Sequence, residues 1–99
     1  MTYQELLNAA LRMVCEGNYI DSYTKDYSER APYIFASFLS HCAPLEARYR
    51  RANGLEDAVP FEGVTVALSE TVTFPSVFTT AAIFYLSAML PTDFFSVRI

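Results

Sequence analysis

The residues with catalytic potential are few, and the neighbouring pair His41 and Cys42 comes first. A histidine can activate a cysteine nucleophile only when the two side chains are in hydrogen-bonding contact. Both residues lie in a predicted helix, where adjacent side chains point about 100° apart. The 99-residue sequence has one histidine and three glycines, so it lacks the glycine-rich phosphate loops and metal-binding motifs of common enzymes. We expect no catalytic site, no cofactor, no bound metal and no enzyme activity.

Three acidic residues, Glu56, Asp57 and Glu62, are the other candidates for chemistry. A pair of carboxylates can perform general acid–base catalysis when their environments separate their pKa values. Here the three side chains lie in a predicted polar loop, from Leu55 to Gly63, where solvation is the ordinary outcome. The sequence therefore favours a solvated loop over an acid–base site.

Three arginines, Arg48, Arg50 and Arg51, form the one basic cluster of the sequence. The formal net charge is −4, and no lysine or arginine lies between Arg51 and Arg98. Proteins that bind nucleic acid usually carry a continuous basic stripe. Two interpretations remain: a solvated helix end whose cations match the helix dipole, or a docking patch for an acidic protein partner. In both cases we expect no tight binding to nucleic acid.

Helical periodicity predicts a mainly α-helical domain of four or so helices over residues 1–99. Thr2 and Glu5 have the spacing of a capping box, followed by a helix over about 3–16. Pro32 interrupts the next apolar stripe, which leaves either one kinked helix over about 21–42 or a short segment before a main helix at 32–42. We favour the second. A further helix is predicted over 45–52, closed by Asn53-Gly54, and residues 64–74 alternate as in a short β-hairpin or an extended arm.

The last predicted helix, residues 77–90, is apolar on all sides, and residues 71–92 carry no charge. A helix of this kind is buried in a protein core or in lipid. The helical run between Pro75 and Pro91 is roughly 22 Å long at ~1.5 Å per residue, which is shorter than the ~30 Å hydrocarbon core of a bilayer. We therefore expect burial in protein and no membrane span.

Cys15 and Cys42 lie within predicted helices and lack the spacing of a redox or zinc motif. They are interpreted as two small buried residues in a reducing compartment, although a disulfide between them stays open. The polar start of the chain, MTYQE, does not resemble a secretory leader. The expected location is the cytoplasm of a bacterial host or a virion.

The segments DYSERAPYIFASF (residues 26–38) and FPSVFTTAAIFYLSAML (residues 74–90) resemble the small helical head–tail connector proteins of long-tailed phages and prophages. The resemblance implies a subunit that stacks in rings beneath the portal, with portal or other neck proteins as partners. The family has no catalytic or ligand residues to transfer. Its members continue after the second segment with an acidic turn and an amphipathic helix, whereas this chain has Pro91-Thr92-Asp93 and ends at Ile99. The family's C-terminal helix is therefore expected to be missing or altered after residue 91.

The apolar surface of the chain points independently to self-association. The helices supply more apolar surface than a domain of this size readily hides, and the C-terminal tail adds more. A head-to-tail contact between identical chains that closes on itself gives a ring. We predict a homo-oligomer, or otherwise a small cytosolic adaptor for one protein partner. The candidate subunit-interface residues are Phe84, Phe94, Phe95 and Ile99.

Overall fold

The computed structural model describes residues 1–14 and 20–90, with the side chains of residues 1–13 and 26–90. Its α-helices are α1 (Tyr3–Val14), α2 (Ile20–Ala52) and α3 (Thr79–Met89), and a 3₁₀ turn, Ser76–Phe78, leads into α3. The mainly α-helical class is confirmed. The predictions made for Cys15, Gly17, Asn18, Phe94, Phe95 and Ile99 lie outside the described residues.

The predicted capping box begins α1. The Glu5 amide donates to Oγ1 of Thr2 at 3.2 Å, and the Thr2 amide donates to the Glu5 carboxylate at 2.9 Å. These bonds satisfy amide groups that an uncapped helix start leaves unpaired. The bond from the Thr2 amide also lowers the pKa of the Glu5 carboxyl, because it favours the charged form. The capping prediction is confirmed.

The predicted helix break at Pro32 is wrong, and so is the separate helix predicted after Pro44. Helix α2 continues through both prolines for 33 residues, so the described chain has three α-helices instead of four. A proline inside a helix removes one hydrogen bond and crowds the preceding turn. Buried side chains on both sides of Pro32, those of Tyr27, Ala31 and Phe35, pack into the same core and hold the helix together across it. Local signals are overridden here by tertiary packing.

Helix α2 ends at a Schellman motif. Gly54 has a φ of +66°, a left-handed conformation that glycine adopts without a Cβ penalty. The Leu55 amide donates to the Arg50 carbonyl at 2.8 Å, and the Gly54 amide donates to the Arg51 carbonyl at 3.4 Å. Both bonds satisfy carbonyls at the helix end. The stop predicted at Asn53-Gly54 is confirmed.

Residues 64–74 form no β-hairpin. The one isolated β-bridge in the described chain joins Thr71 to Thr2. This segment runs along the start of α1, where the amides of Tyr3 and Gln4 donate to the carbonyls of Glu70 (3.1 Å) and Leu68 (2.9 Å). The alternating pattern therefore belongs to an irregular segment, with a turn in which the Glu70 amide donates to the Ala67 carbonyl at 3.1 Å, and carbonyls of this segment cap the start of α1.

The core brings all three helices and the segment between α2 and α3 together through aromatic contacts. The Tyr3 ring lies 5.0 Å from Phe35 and 6.5 Å from Phe74, and Phe38 lies 5.7 Å from Phe74 and 5.5 Å from Tyr85, all centroid to centroid. Leucines 6, 7, 86 and 90 are fully buried beside them. Edge-on ring pairs of this kind stabilise a core beyond the area they bury.

Helix α3 is not buried on every side within this one chain. Ala82 and Leu86 are buried, and Leu90 just beyond the helix is buried with them, whereas 56% of Phe84 is exposed. The helix lies against α1 and α2 on one side, and no described element covers the other. Helix α3 is therefore apolar all round but buried on only one side in this single chain.

Candidate functional site

The exposed side of α3 carries a continuous apolar stripe. Val77, Ala81, Phe84 and Ala88 recur at helical spacing and are all exposed. We call these four residues the apolar face. Met13 of α1 is also exposed and lies beside it, because its sulfur is 3.8 Å from Oγ of Ser87. The structure thus places Phe84, a predicted interface residue, at the centre of an apolar surface that none of the described residues covers.

The three predicted docking arginines do not share one environment. Arg50 forms an ion pair with Glu46 at 2.7 Å, and the two side chains are only 16% and 13% exposed. Its other guanidinium nitrogens donate to the carbonyls of Glu56 at 3.1 Å and Thr73 at 2.8 Å. Arg50 therefore fastens the chain after α2 to the helix itself. Arg48 and Arg51 are the exposed members of the cluster.

A groove of about 690 Å³ lies between α2, the start of α1 and the chain that follows α2. We call it the acidic groove, because its titratable lining is mostly carboxylate: Glu46, Asp57, Glu62 and Glu70, with Arg51 as the basic member and Tyr3 as the phenol. Its apolar walls include Leu39, Ala43, Ala47, Val59 and Phe61. Asp57 and Glu62, predicted to be loop carboxylates, are exposed at this groove, while Glu56 contributes its carbonyl to Arg50.

The sequence analysis missed the contributions of Tyr3, Glu46 and Glu70 to this groove. Tyr3 lies at the start of α1, Glu46 in α2 and Glu70 in the segment after α2, so the three are far apart in the sequence. These three residues come together only because the chain folds back over α2. Such long-range folding leaves no periodic pattern in the sequence. The spacing of Glu46 and Arg50 at i and i+4 is the one readable trace, because it predicts an ion pair on a helix.

His41 lies in a hydrogen-bonded cluster with Ser37 and Tyr85. Its Nδ1 is 2.8 Å from the Ser37 carbonyl and 3.3 Å from the Ser37 hydroxyl, and that hydroxyl is 2.8 Å from the Tyr85 hydroxyl. An Nδ1 that donates to a carbonyl carries the proton, so it cannot also accept one from Ser37. This geometry fixes the turn of α2 and provides no activated serine.

Cys42 is a free, half-buried thiol. Burial, and then the nearby carboxylate of Glu46, raise the pKa of the thiol above its ordinary value. A higher pKa leaves less thiolate at neutral pH, and the thiolate is the reactive form. Cys42 therefore lacks the electropositive surroundings of a catalytic cysteine, and its partner in the proposed disulfide, Cys15, is not among the described residues.

Residues 1–14 and 20–90 hold neither a metal cluster nor a membrane-spanning helix. No group of three or more histidine, cysteine or carboxylate side chains there is arranged to hold a metal ion. In the same ranges, none of the helices combines the length and the apolar character that crossing a bilayer requires.

No family model, curated protein or solved structure matches this chain. Its likeness to head–tail connectors thus rests on the two sequence segments alone, and function must be argued from the surfaces described above.

Proposed function

We propose that this chain is a non-enzymatic assembly subunit of a phage or prophage, similar to a head–tail connector, whose copies associate into a ring through the apolar face. The observation that carries the proposal is the exposure of Phe84 in the middle of a stripe without charge. Soluble monomers seldom leave such stripes uncovered, because water is ordered at a cost around contiguous apolar groups.

A second copy of the chain is the occupant that best fits the apolar face. Every copy presents the same stripe, so association needs no other protein to be present. For a ring, the apolar face of one copy would bind a different surface of the next, because two apolar faces that bind each other stop at a dimer; such a head-to-tail contact closes when its rotation divides a full turn. The aromatic residues of the tail, Phe94, Phe95 and Ile99, would extend the contact, and portal or other neck proteins would be the further partners, in a host cytoplasm or a virion.

The acidic groove favours a second candidate function, that of a small adaptor that binds one protein partner. A groove with apolar walls and an excess of carboxylates resembles a recognition site more than a ring contact. On this interpretation the apolar face would also bind the partner, and the isolated chain would be a monomer.

The experiment that tests the assembly proposal is light scattering coupled to size exclusion at micromolar concentration. We expect the wild-type chain to exceed the monomer mass and Phe84→Glu to return it to a monomer, because a charge in the stripe opposes burial. Tyr33→Glu is the matched control, since Tyr33 is an equally exposed aromatic residue on α2, and we expect it to leave the mass unchanged. A wild-type monomer throughout this range would overturn the ring and favour the adaptor.

A further inference from the structure

We infer that the acidic groove binds an arginine side chain presented by a protein partner. The inference concerns a surface separate from the apolar face, since none of the four residues of that face lines the groove. It therefore does not rest on the assembly proposal, and each can fail alone.

The first observation is an unused hydrogen-bonding group in the groove. Tyr3 is only 3% exposed, and its hydroxyl has no hydrogen-bond partner among the described residues. No side-chain polar atom in that part of the chain is both sealed from solvent and unpaired. The Tyr3 hydroxyl must therefore reach solvent, and the groove is the opening that this residue lines. A buried hydroxyl that faces an open groove is available to a ligand.

The second observation is the sign of the charge around that hydroxyl. Glu46 is already paired with Arg50, so Asp57, Glu62 and Glu70 supply the excess of negative charge over Arg51. Burial is the main reason why the pKa of Tyr3 is raised, and the carboxylates of Glu70 and Glu46 raise it further. The negative potential thus extends to the Tyr3 hydroxyl, and a cation is the complementary ligand.

The arrangement of the carboxylates selects an organic cation over a metal ion. They are spread around the groove, and no three carboxylate, histidine or cysteine groups in the described chain are placed to ligate one ion. The volume of about 690 Å³ also greatly exceeds what a bare ion needs and lies within the range of pockets for organic ligands.

The apolar walls select a long side chain with a charged end. Ala43, Ala47 and Phe61 offer a surface along which methylene groups can lie while the charged end reaches the carboxylates. Arginine suits this site better than lysine, because guanidinium is more weakly hydrated and presents several N–H donors to separate acceptors. The Tyr3 hydroxyl oxygen accepts from one of these donors.

The test is an NMR titration of the ¹⁵N-labelled full chain with acetyl-Leu-Arg-Leu-amide. We expect shifts at the amides of residues 3, 58, 59, 61, 62, 66 and 70. The same peptide with citrulline in place of arginine should bind at least about tenfold more weakly, because citrulline keeps the shape but lacks the charge. Equal binding of the citrulline or the lysine peptide, shifts confined to other surfaces, or no shifts at all would overturn the assignment.

Variants connect the binding to the groove. Tyr3→Phe keeps the ring contacts with Phe35 and Phe74 and removes only the hydroxyl, and Glu70→Gln removes one exposed carboxylate. We expect each to weaken the arginine peptide several-fold, whereas Glu29→Gln, an exposed carboxylate outside the groove, leaves it unchanged. A loss of affinity in Glu29→Gln equal to that in Glu70→Gln would show a general charge effect and reject the site. Light scattering on the same samples reports assembly separately.

Discussion

Arg50 connects three parts of the chain through a single side chain. Its guanidinium is paired with Glu46 on the preceding turn of α2 and also holds the carbonyls of Glu56 and Thr73. Both ends of this ion pair are largely withdrawn from solvent, so loss of the guanidinium leaves a poorly hydrated carboxylate without its counter-charge. Arg48, two residues away, is exposed and has no such role in the described contacts.

At this scale we predict that Arg50→Met lowers the free energy of unfolding by about 3–5 kcal/mol, the usual cost of breaking a buried ion pair from one side. Arg48→Met is the control, and it should change stability by less than about 0.5 kcal/mol. Urea denaturation followed by circular dichroism measures both. The double variant Glu46→Leu/Arg50→Met should lose less than Arg50→Met alone, because no charge is left unpaired. Equal losses of stability in Arg48→Met and Arg50→Met would contradict the role assigned to the Arg50 contacts.

At the scale of the helices, sequence and structure agree where local chemistry decides the outcome. The Thr2–Glu5 box fixes where α1 begins, and Gly54 fixes where α2 ends, because each depends on a few neighbouring residues. They disagree where packing decides. Pro32 is a local stop signal, yet the core contacts of Ala31 and Phe35 carry the helix past it.

Helix α3 shows a second limit of prediction from sequence. Its composition indicates an apolar environment and does not say which chain provides that environment. The sequence therefore predicts an apolar helix that contains Phe84, while its buried and exposed sides can be distinguished only in the folded chain. The acidic groove could not be predicted, because Tyr3 and Glu70 are far apart in the sequence and come together only when the chain folds back. No residue spacing in the sequence indicates that contact.

The two sides of α3 are distinguished by a pair of truncations. Leu86→Ala should cost about 2–5 kcal/mol, because Leu86 is fully buried and its removal leaves a cavity. Phe84→Ala should cost less than about 1 kcal/mol in the dissociated chain, since it lies mostly in solvent. Urea denaturation at concentrations where light scattering detects only monomer gives both values. A loss of 3 kcal/mol or more for Phe84→Ala would mean that α3 is enclosed by its own chain, and the apolar face would not exist.

At the scale of the whole molecule, two surfaces differ in charge. Residues 71–92 carry no charge, whereas four carboxylates line the acidic groove and the exposed Arg48 and Arg51 lie at the end of α2. Complementary surfaces of this kind set which neighbour binds and in which orientation, whereas apolar burial supplies the affinity. A ring subunit and a one-partner adaptor both use this division. They differ in whether the apolar face meets another copy.

The separation of charge also predicts how the protein behaves toward nucleic acid. With Arg50 engaged internally, Arg48 and Arg51 remain as the exposed bases of the cluster, on a chain of net charge −4. Two phosphate contacts release few counterions, so we expect duplex and single-stranded DNA to bind no more tightly than about 10⁻⁴ M at physiological salt. Fluorescence anisotropy with labelled DNA measures this affinity directly. The matched variant is Arg48→Gln/Arg51→Gln, which leaves Arg50 and its contacts in place. Micromolar binding that weakens steeply with added salt and disappears in the double variant would replace protein docking with a nucleic-acid interface at this helix end.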